Sequence, residues 1–456
     1  MLKKILLLTT LQLTILMAGS FIMTEGNPIL IKSDDDTRHT TAAGCQGTYN
    51  NTVVVNSISA LGNAVANANT STKIVLANGT YTSGMTLNGN TAPVCIEAEN
   101  KKQTVLKGNI EIRGSHIVMS KFLITGSSAK VNIYGDDCRL TLNTFDNPSK
   151  SYFIRALGTA HRFKLDHNTI KNFHHVSGDP LDILIWLHTY ADDNTPAGHQ
   201  IEYNYFENLT SDTINGFATI QTRLRRSATQ LVGMGEHPSA YGEDDNGWNY
   251  GRDVVKKDNI TLKHNYFKNC NDPLSCKTNG MDIAYNTIRD CSGSVMMREG
   301  KFNNTHNNYF FGGGKSSGIS IYDRNHKVEY NYFENMRRYA MEVHNGGVAH
   351  VDNDIYAASL NTEIHHNYVK DTEWAIIFGR KMDNNNNTDI APSGSFTDNT
   401  FVNIIDTPIH LSEEPHMENF TTSPNSEYNT ANDPSWDMSG VITDADVTNG
   451  IVGSGI

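Results

Sequence analysis

Two cations recur at one place in a repeat. Lys277 lies 12 residues after Asn265, and Arg298 lies 12 residues after Asn286. Both asparagines open the same phrase: Asn, one residue, then an aromatic or β-branched aliphatic residue. The phrase returns at Asn308 and Asn331, so the steps are 21, 22 and 23 residues. If equal offsets stack in adjacent coils, the two side chains stand about 4.8 Å apart, the spacing of paired strands. A Lys beside an Arg carries like-charge repulsion. The pair reads either as two solvated charges on a sheet face or as a general base whose pKa a neighbouring cation lowers, facing a polyanion.

A uronic acid polymer offers chemistry for such a pair. Its C5 proton is weakly acidic until a cation neutralises the carboxylate. A base then takes that proton, and a donor serves the leaving O4. Arg does not readily lose its proton in water, so Lys277 is the candidate base, while Arg298 is placed to stabilise charge developing at O4 and to pass it a proton through water. Both are expected to be exposed. Other cations are candidates for holding substrate carboxylates, to which the Arg fork is suited. They are Arg223, with Arg225 and Arg226 close behind it, Arg324 and His326, Arg337 and Arg338, and His344, which falls 13 residues after Asn331. Each of these alone also reads as a solvated surface residue.

The elements that position these residues follow from the repeat. Further copies have their Asn at 143, 168, 204, 367 and 399, making nine. A period of 20–25 residues signals a solenoid, in which each repeat buries its apolar face only by stacking on the next. The strands are short and β-branched, and an Asn recurring at a turn can stack on its copies as an amide ladder. The reading is an all-β, single-stranded right-handed parallel β-helix over residues 53–410. Residues 57–68 (SISALGNAVANA) have helical spacing and would cap its open end, ahead of a strand at 73–82. From Asn204 to Asn265 the step is 61 residues, so an insertion leaves the coil at about 224–258. It is rich in acids and aromatics and reads as one wall of a cleft or as a surface loop. A polar tail, 411–456, reads as an end strand or as disordered.

Composition bounds the rest. The 38% hydrophobic content suits an elongated solenoid better than one globular core. Lys3 and Lys4 precede an apolar run at 5–17 and then Ala18, Gly19 and Ser20. This predicts a secretory signal peptide at 1–20, followed by a polar leader at 21–52, and a secreted or periplasmic product. No later stretch is apolar enough to cross a membrane. The net charge of −12 argues against nucleic acid as partner but leaves room for an anionic sugar polymer at a local basic site. Six cysteines are free to pair in such a compartment. Cys270 with Cys291 fits disulfide spacing, or forms a stack of small buried thiols, and Cys45 with Cys95 is a second candidate pair. There is no CxxC, so zinc is not expected. Oligomeric state is left open.

At the central coils the chain resembles polysaccharide lyase family 6, the chondroitinase B and alginate lyase group. The phrases are SCKTNG with Lys277, MMREGK with Arg298, and SGISIYDRNH with His326. The resemblance implies Lys277 as Brønsted base, Arg298 as acid, and an anionic polysaccharide as substrate, with alginate ahead of dermatan or chondroitin sulfate. It also implies Ca²⁺ held by an Asn, here Asn215, and two acids. The second acid falls on Asp272, but the first falls on Cys270, a poor ligand for a cation that prefers oxygen. Glu299 and Ser320 replace two further basic residues of the family pattern. Three rivals stand beside a lyase. A glycoside hydrolase needs two carboxylates across the bond, and Asp272 and Glu299 do not share an offset. A C5-epimerase shares the proton abstraction. A non-catalytic carbohydrate-binding β-helix gives no reason to stack Lys277 on Arg298.

Overall fold

A computed structural model describes residues 44–89, 92–148, 152–175, 183–190, 195–212, 217–225, 257–298, 300–346, 358–380, 391–412 and 420–454. Each coil gives one strand to each of three parallel sheets. In the coil of Lys277 these are Thr261–Lys263, Tyr266–Cys270 and Asp272–Lys277. Among the described residues the first sheet has 14 strands, the second 13 and the third 12. Every strand pairs with its counterparts one coil before and after, so the fold is a parallel β-helix, as the repeat predicts. Alternate residues of each strand fill one continuous apolar interior.

The Asn repeat turns the chain from the first sheet to the second. Asn265 donates through Nδ2 to the Ile201 carbonyl at 2.8 Å and to Asn286 Oδ1 at 3.0 Å, while its backbone N–H also donates to Asn286 Oδ1. The same bonds repeat from Asn143 through Asn399, and all nine side chains are fully buried. The ladder has a tenth rung, Asn425, which accepts from the Asn399 backbone N–H at 2.9 Å. The residue before each of the first nine ladder asparagines turns through the left-handed region, for example Tyr203, His264 and Tyr285 at φ 54°, 53° and 56°. That conformation strains a side chain with a Cβ, and here the ladder bonds offset it. Several of these rings stack outside the turn, with Tyr203 4.9 Å from His264 and His264 5.0 Å from Tyr285.

At the N-terminal end a helix, Ile58–Ala66, lies over the first coils, burying Leu61 and Val65. Ser57 caps it, its Oγ accepting from the Ala60 N–H. The disulfide is Cys45–Cys95, with Cα atoms 5.8 Å apart. Cys270 and Cys291 are free thiols in the interior. Each donates to backbone carbonyls, Cys270 to Phe206 and Cys291 to Arg289, so the stacked-thiol alternative holds.

The tail is a strap. Phe420–Thr421 and Ser426–Tyr428 extend the first and second sheets. The chain then runs back along the outer face of the second sheet. Trp436 lies against Tyr332 and Tyr368 at ring separations of 6.2 and 5.5 Å. Ile442, Val447 and Val452 cover Tyr203, Tyr205 and Tyr266. Asp444 pairs with Lys268 at 2.8 Å. Ser454 reaches Thr144 Oγ1 at 3.0 Å.

Candidate active site

The outer face of the third sheet holds the candidate residues. In Asp272–Lys277, Leu274 and Cys276 point into the apolar interior, so Ser275 and Lys277 point out. The register sets Lys277 beside Arg223, and Arg223 beside His188. On the other side Cys276 pairs with Met297, which puts Arg298 next to Lys277, and the Arg298 N–H donates to the Cys276 carbonyl at 2.9 Å. Tyr322 follows in the next coil and His344 in the one after, their rings stacked at 3.8 Å. One outward column therefore reads His188, Arg223, Lys277, Arg298, Tyr322, His344. Lys277 and Arg298 are neighbours on one face, as equal offsets predict.

Their exposure differs from expectation. Arg298 is half-buried, whereas Lys277 is only 6% exposed and Arg223 only 4%. Each long side chain in the column is flanked at the strand spacing of about 4.8 Å by another large one, which removes most of its access to water.

The other candidates scatter. His344 is in the column but 1% exposed, its Nε2 3.2 Å from Glu342 Oε2. Arg324 stands in the turn after the third sheet, its Nε 3.4 Å from Asp323 Oδ1. His326 is a correction. Its Nε2–H donates to the Tyr322 carbonyl at 2.8 Å and its Nδ1 accepts from the Asn303 N–H. Burial pushes its pKa down to about 4. It is a neutral fastener inside the turn and presents no nitrogen to a substrate. Asn215, Arg226, Glu299 and nearly all of the insertion lie outside the described residues, as do residues 1–43.

Asp272 is also interior. Its Oδ1 accepts from the Ser294 N–H at 3.0 Å, and its Oδ2 has no hydrogen-bond partner. Gly293 makes room for it: a Cβ there would sit 1.7 Å from Oδ1. Burial pushes the carboxyl up to about 7, against the pull of the Ser294 N–H and the Arg298 charge. Calcium takes six to eight oxygens. Cys270 turns its thiol to the core, and burial raises that thiol well above its ordinary pKa. Among the described residues no three His, Cys, Asp or Glu side chains converge on a point. Of the three expected ligands, Cys270 and Asp272 thus lie in the interior and Asn215 lies outside the described residues, and a proton held up to about pH 7 serves the open Asp272 oxygen.

Three residues of this outer face escape a reading by offsets: His188, Tyr322 and Glu342. Glu342 accepts from Tyr339 Oη at 2.9 Å and from Ser320 Oγ at 3.1 Å. Ser320, which stands where the family pattern has an Arg, thus donates to an acid instead. Counted from the ladder Asn, Lys277 and Arg298 are both at 12, but His344 is at 13, Tyr322 at 14, Arg223 at 19 and His188 at 20. The turns between the second and third sheets vary in length, so one column carries several offsets. The register, with the alternation of each strand, is the signal that would have found them.

A profile of the Chondroitinase B family matches residues 55–407. The chain belongs to the chondroitinase B family. This family member also shares its fold with solved PL6 polysaccharide lyases. The PL6 family alginate lyase AlyGC superposes with a TM-score of 0.65 at 19% identity, over 89% of this chain and 56% of that one. A mannuronic acid specific family 6 lyase from human gut microbiota gives 0.64 at 17% identity, over 88% and 90%. The PL6 lyase Pedsa3628 from Pseudopedobacter saltans gives 0.61 at 18%, over 86% and 94%. A search of curated proteins returns no match.

Proposed function

We propose that this chondroitinase B family member is a secreted or periplasmic lyase that cleaves a uronate-containing polysaccharide by β-elimination, with alginate the preferred polymer and dermatan or chondroitin sulfate second. The observation that carries the reading is the placement of Lys277 between two guanidiniums on one outward column. Lys277 Nζ takes the C5 proton of the uronate. The C5–H electron pair forms the C4=C5 double bond as the C4–O4 bond breaks. Arg298 stabilises charge on the leaving O4 and orients the water that protonates it, the guanidinium itself staying charged. Arg223 faces the sugar carboxylate, whose neutralisation makes the C5 proton acidic. No step is assigned to a metal ion. Export rests on the leader at residues 1–20.

The test is a panel of uronan polymers followed by ultraviolet absorbance of unsaturated ends. Cleavage of alginate with growth of that absorbance supports the reading. A changed uronate composition with no chain scission would make the protein an epimerase. Lys277→Ala should remove activity, since a general base is typically worth roughly 10²–10⁴-fold; retention of more than about a tenth of the rate would overturn the base assignment.

A further inference from the structure

Arg155 lies on the same outer face, well before the candidate catalytic pair. Its strand, Ile154–Ala156, turns Ile154 and Ala156 into the core, so Arg155 points outward. The register runs from Arg155 to Trp186, then Gln221, then Ser275. Arg155 therefore stands three strands from the Lys277 strand, about 14 Å along the stack. Its guanidinium carbon is 4.4 Å from the Trp186 ring centroid and 5.7 Å from that of Tyr152. The rings themselves are stacked, Tyr152 on Trp186 at 4.6 Å and Trp186 with His188 at 5.1 Å.

This cation is held without an acid. Among the described residues no carboxylate pairs with Arg155, and its buried Nε makes no hydrogen bond. The acid in the same column, Glu111, is two strands away and is taken by Arg113 at 2.8 Å. A guanidinium over an aromatic face keeps its in-plane N–H donors for a planar anion. A structural Arg would ordinarily spend those donors on a partner within the fold.

Resting on the lyase reading, we infer that Arg155, braced by Tyr152 and Trp186, is a distal subsite for a uronate carboxylate, three coils from the scissile bond. The polymer then runs along the coil axis, and only chains long enough to span those coils reach it.

Two arms test this. In the first, kcat/KM is measured on uronan oligosaccharides of increasing length for wild type, Arg155→Ala and Arg155→Lys. The loss in Arg155→Ala should reach about tenfold to a hundredfold on long chains, through KM rather than kcat, and be much smaller on the shortest ones. Arg155→Lys should keep the fold but recover only part of the loss, since an ammonium lacks the fork. A loss equal at every length, or none, overturns the subsite. In the second arm, the same oligosaccharides are titrated calorimetrically into Lys277→Ala and Lys277→Ala/Arg155→Ala. Weaker binding of long chains by the double variant supports the subsite even if the wild type cleaves nothing, which would sink the lyase reading alone. Equal binding by both, or none by either, sinks the subsite.

Discussion

Lys277 and Arg298 are both basic side chains at the same offset, yet the reaction asks different things of them. Lys277→Arg should keep the positive column and uronan binding but lose turnover by at least about a hundredfold, because a guanidinium does not give up its proton; kcat and binding measured on one preparation decide it. Two interior groups make opposite predictions for pH. Asp272 holds its proton to about pH 7, above its unfolded value of 3.8, so its contribution is full below about 4 and lost as pH rises to 7. His326 is depressed to about 4 from 6.5, so its contribution is present above 6.5 and lost as pH falls toward 4. Asp272→Asn keeps an acceptor for the Ser294 N–H and should raise stability above pH 7 by a few kcal/mol at most, since each tenfold change in proton affinity is worth about 1.4 kcal/mol. Little gain is expected at pH 4. Urea midpoints at the two pH values check this. If Asp272 were instead a metal ligand, the same variant would lose activity, and a chelator would slow the wild type; we expect the chelator to leave the rate unchanged. The pair was legible in the sequence because Lys277 and Arg298 share one coil geometry. Tyr322 and His188 were not, since unequal turns shift their offsets. His326 misled because a His two residues past an Arg reads alike on a surface or inside a turn.

The ladder is the element that sets the register of every coil. Asn286 donates to the Leu262 carbonyl at 2.8 Å and to Asn308 Oδ1 at 2.9 Å, and accepts from the backbone and side chain of Asn265. Asn286→Ala would orphan several buried groups at about 1–3 kcal/mol each. It should lower the thermal midpoint far more than Asn425→Ala, whose rung is half-buried at the end of the stack. Equal shifts would show that the ladder is ornament. Nine rungs were legible because each is followed by an apolar residue two places on. The tenth was hidden because Asn425 is followed by Ser426 and Glu427, at the edge of the core where burial is relaxed. The capping helix was legible in its period, and Ser57 marks its start.

At the scale of the whole molecule, the least legible part was the tail. Residues 411–456 read as polar, and the apolar members Trp436, Val441, Ile442, Val447 and Val452 have neither a helical nor a strand period. The reason is geometric. A strap crossing stacked coils meets a ring of the second sheet where the coils present one, so its apolar residues follow the coils and not its own backbone. A chain ending at Tyr428 should keep its sheets but bind a hydrophobic dye and melt lower, because Tyr266, Tyr309, Tyr332 and Tyr368 lose their cover. An unchanged melt would mean that the strap adds nothing. The bond between Ser454 and Thr144 also ties the tail back to the fourth strand of the 13-stranded sheet. A solenoid touched only by its nearest neighbours can unzip from either end, one turn at a time. Here the last residues clasp a turn near the front, so the intervening turns cannot peel away singly while the clasp is shut. Melting should then be a single concerted event, and amide exchange across the middle of the protein should report one opening energy where an unclasped stack would report a gradient.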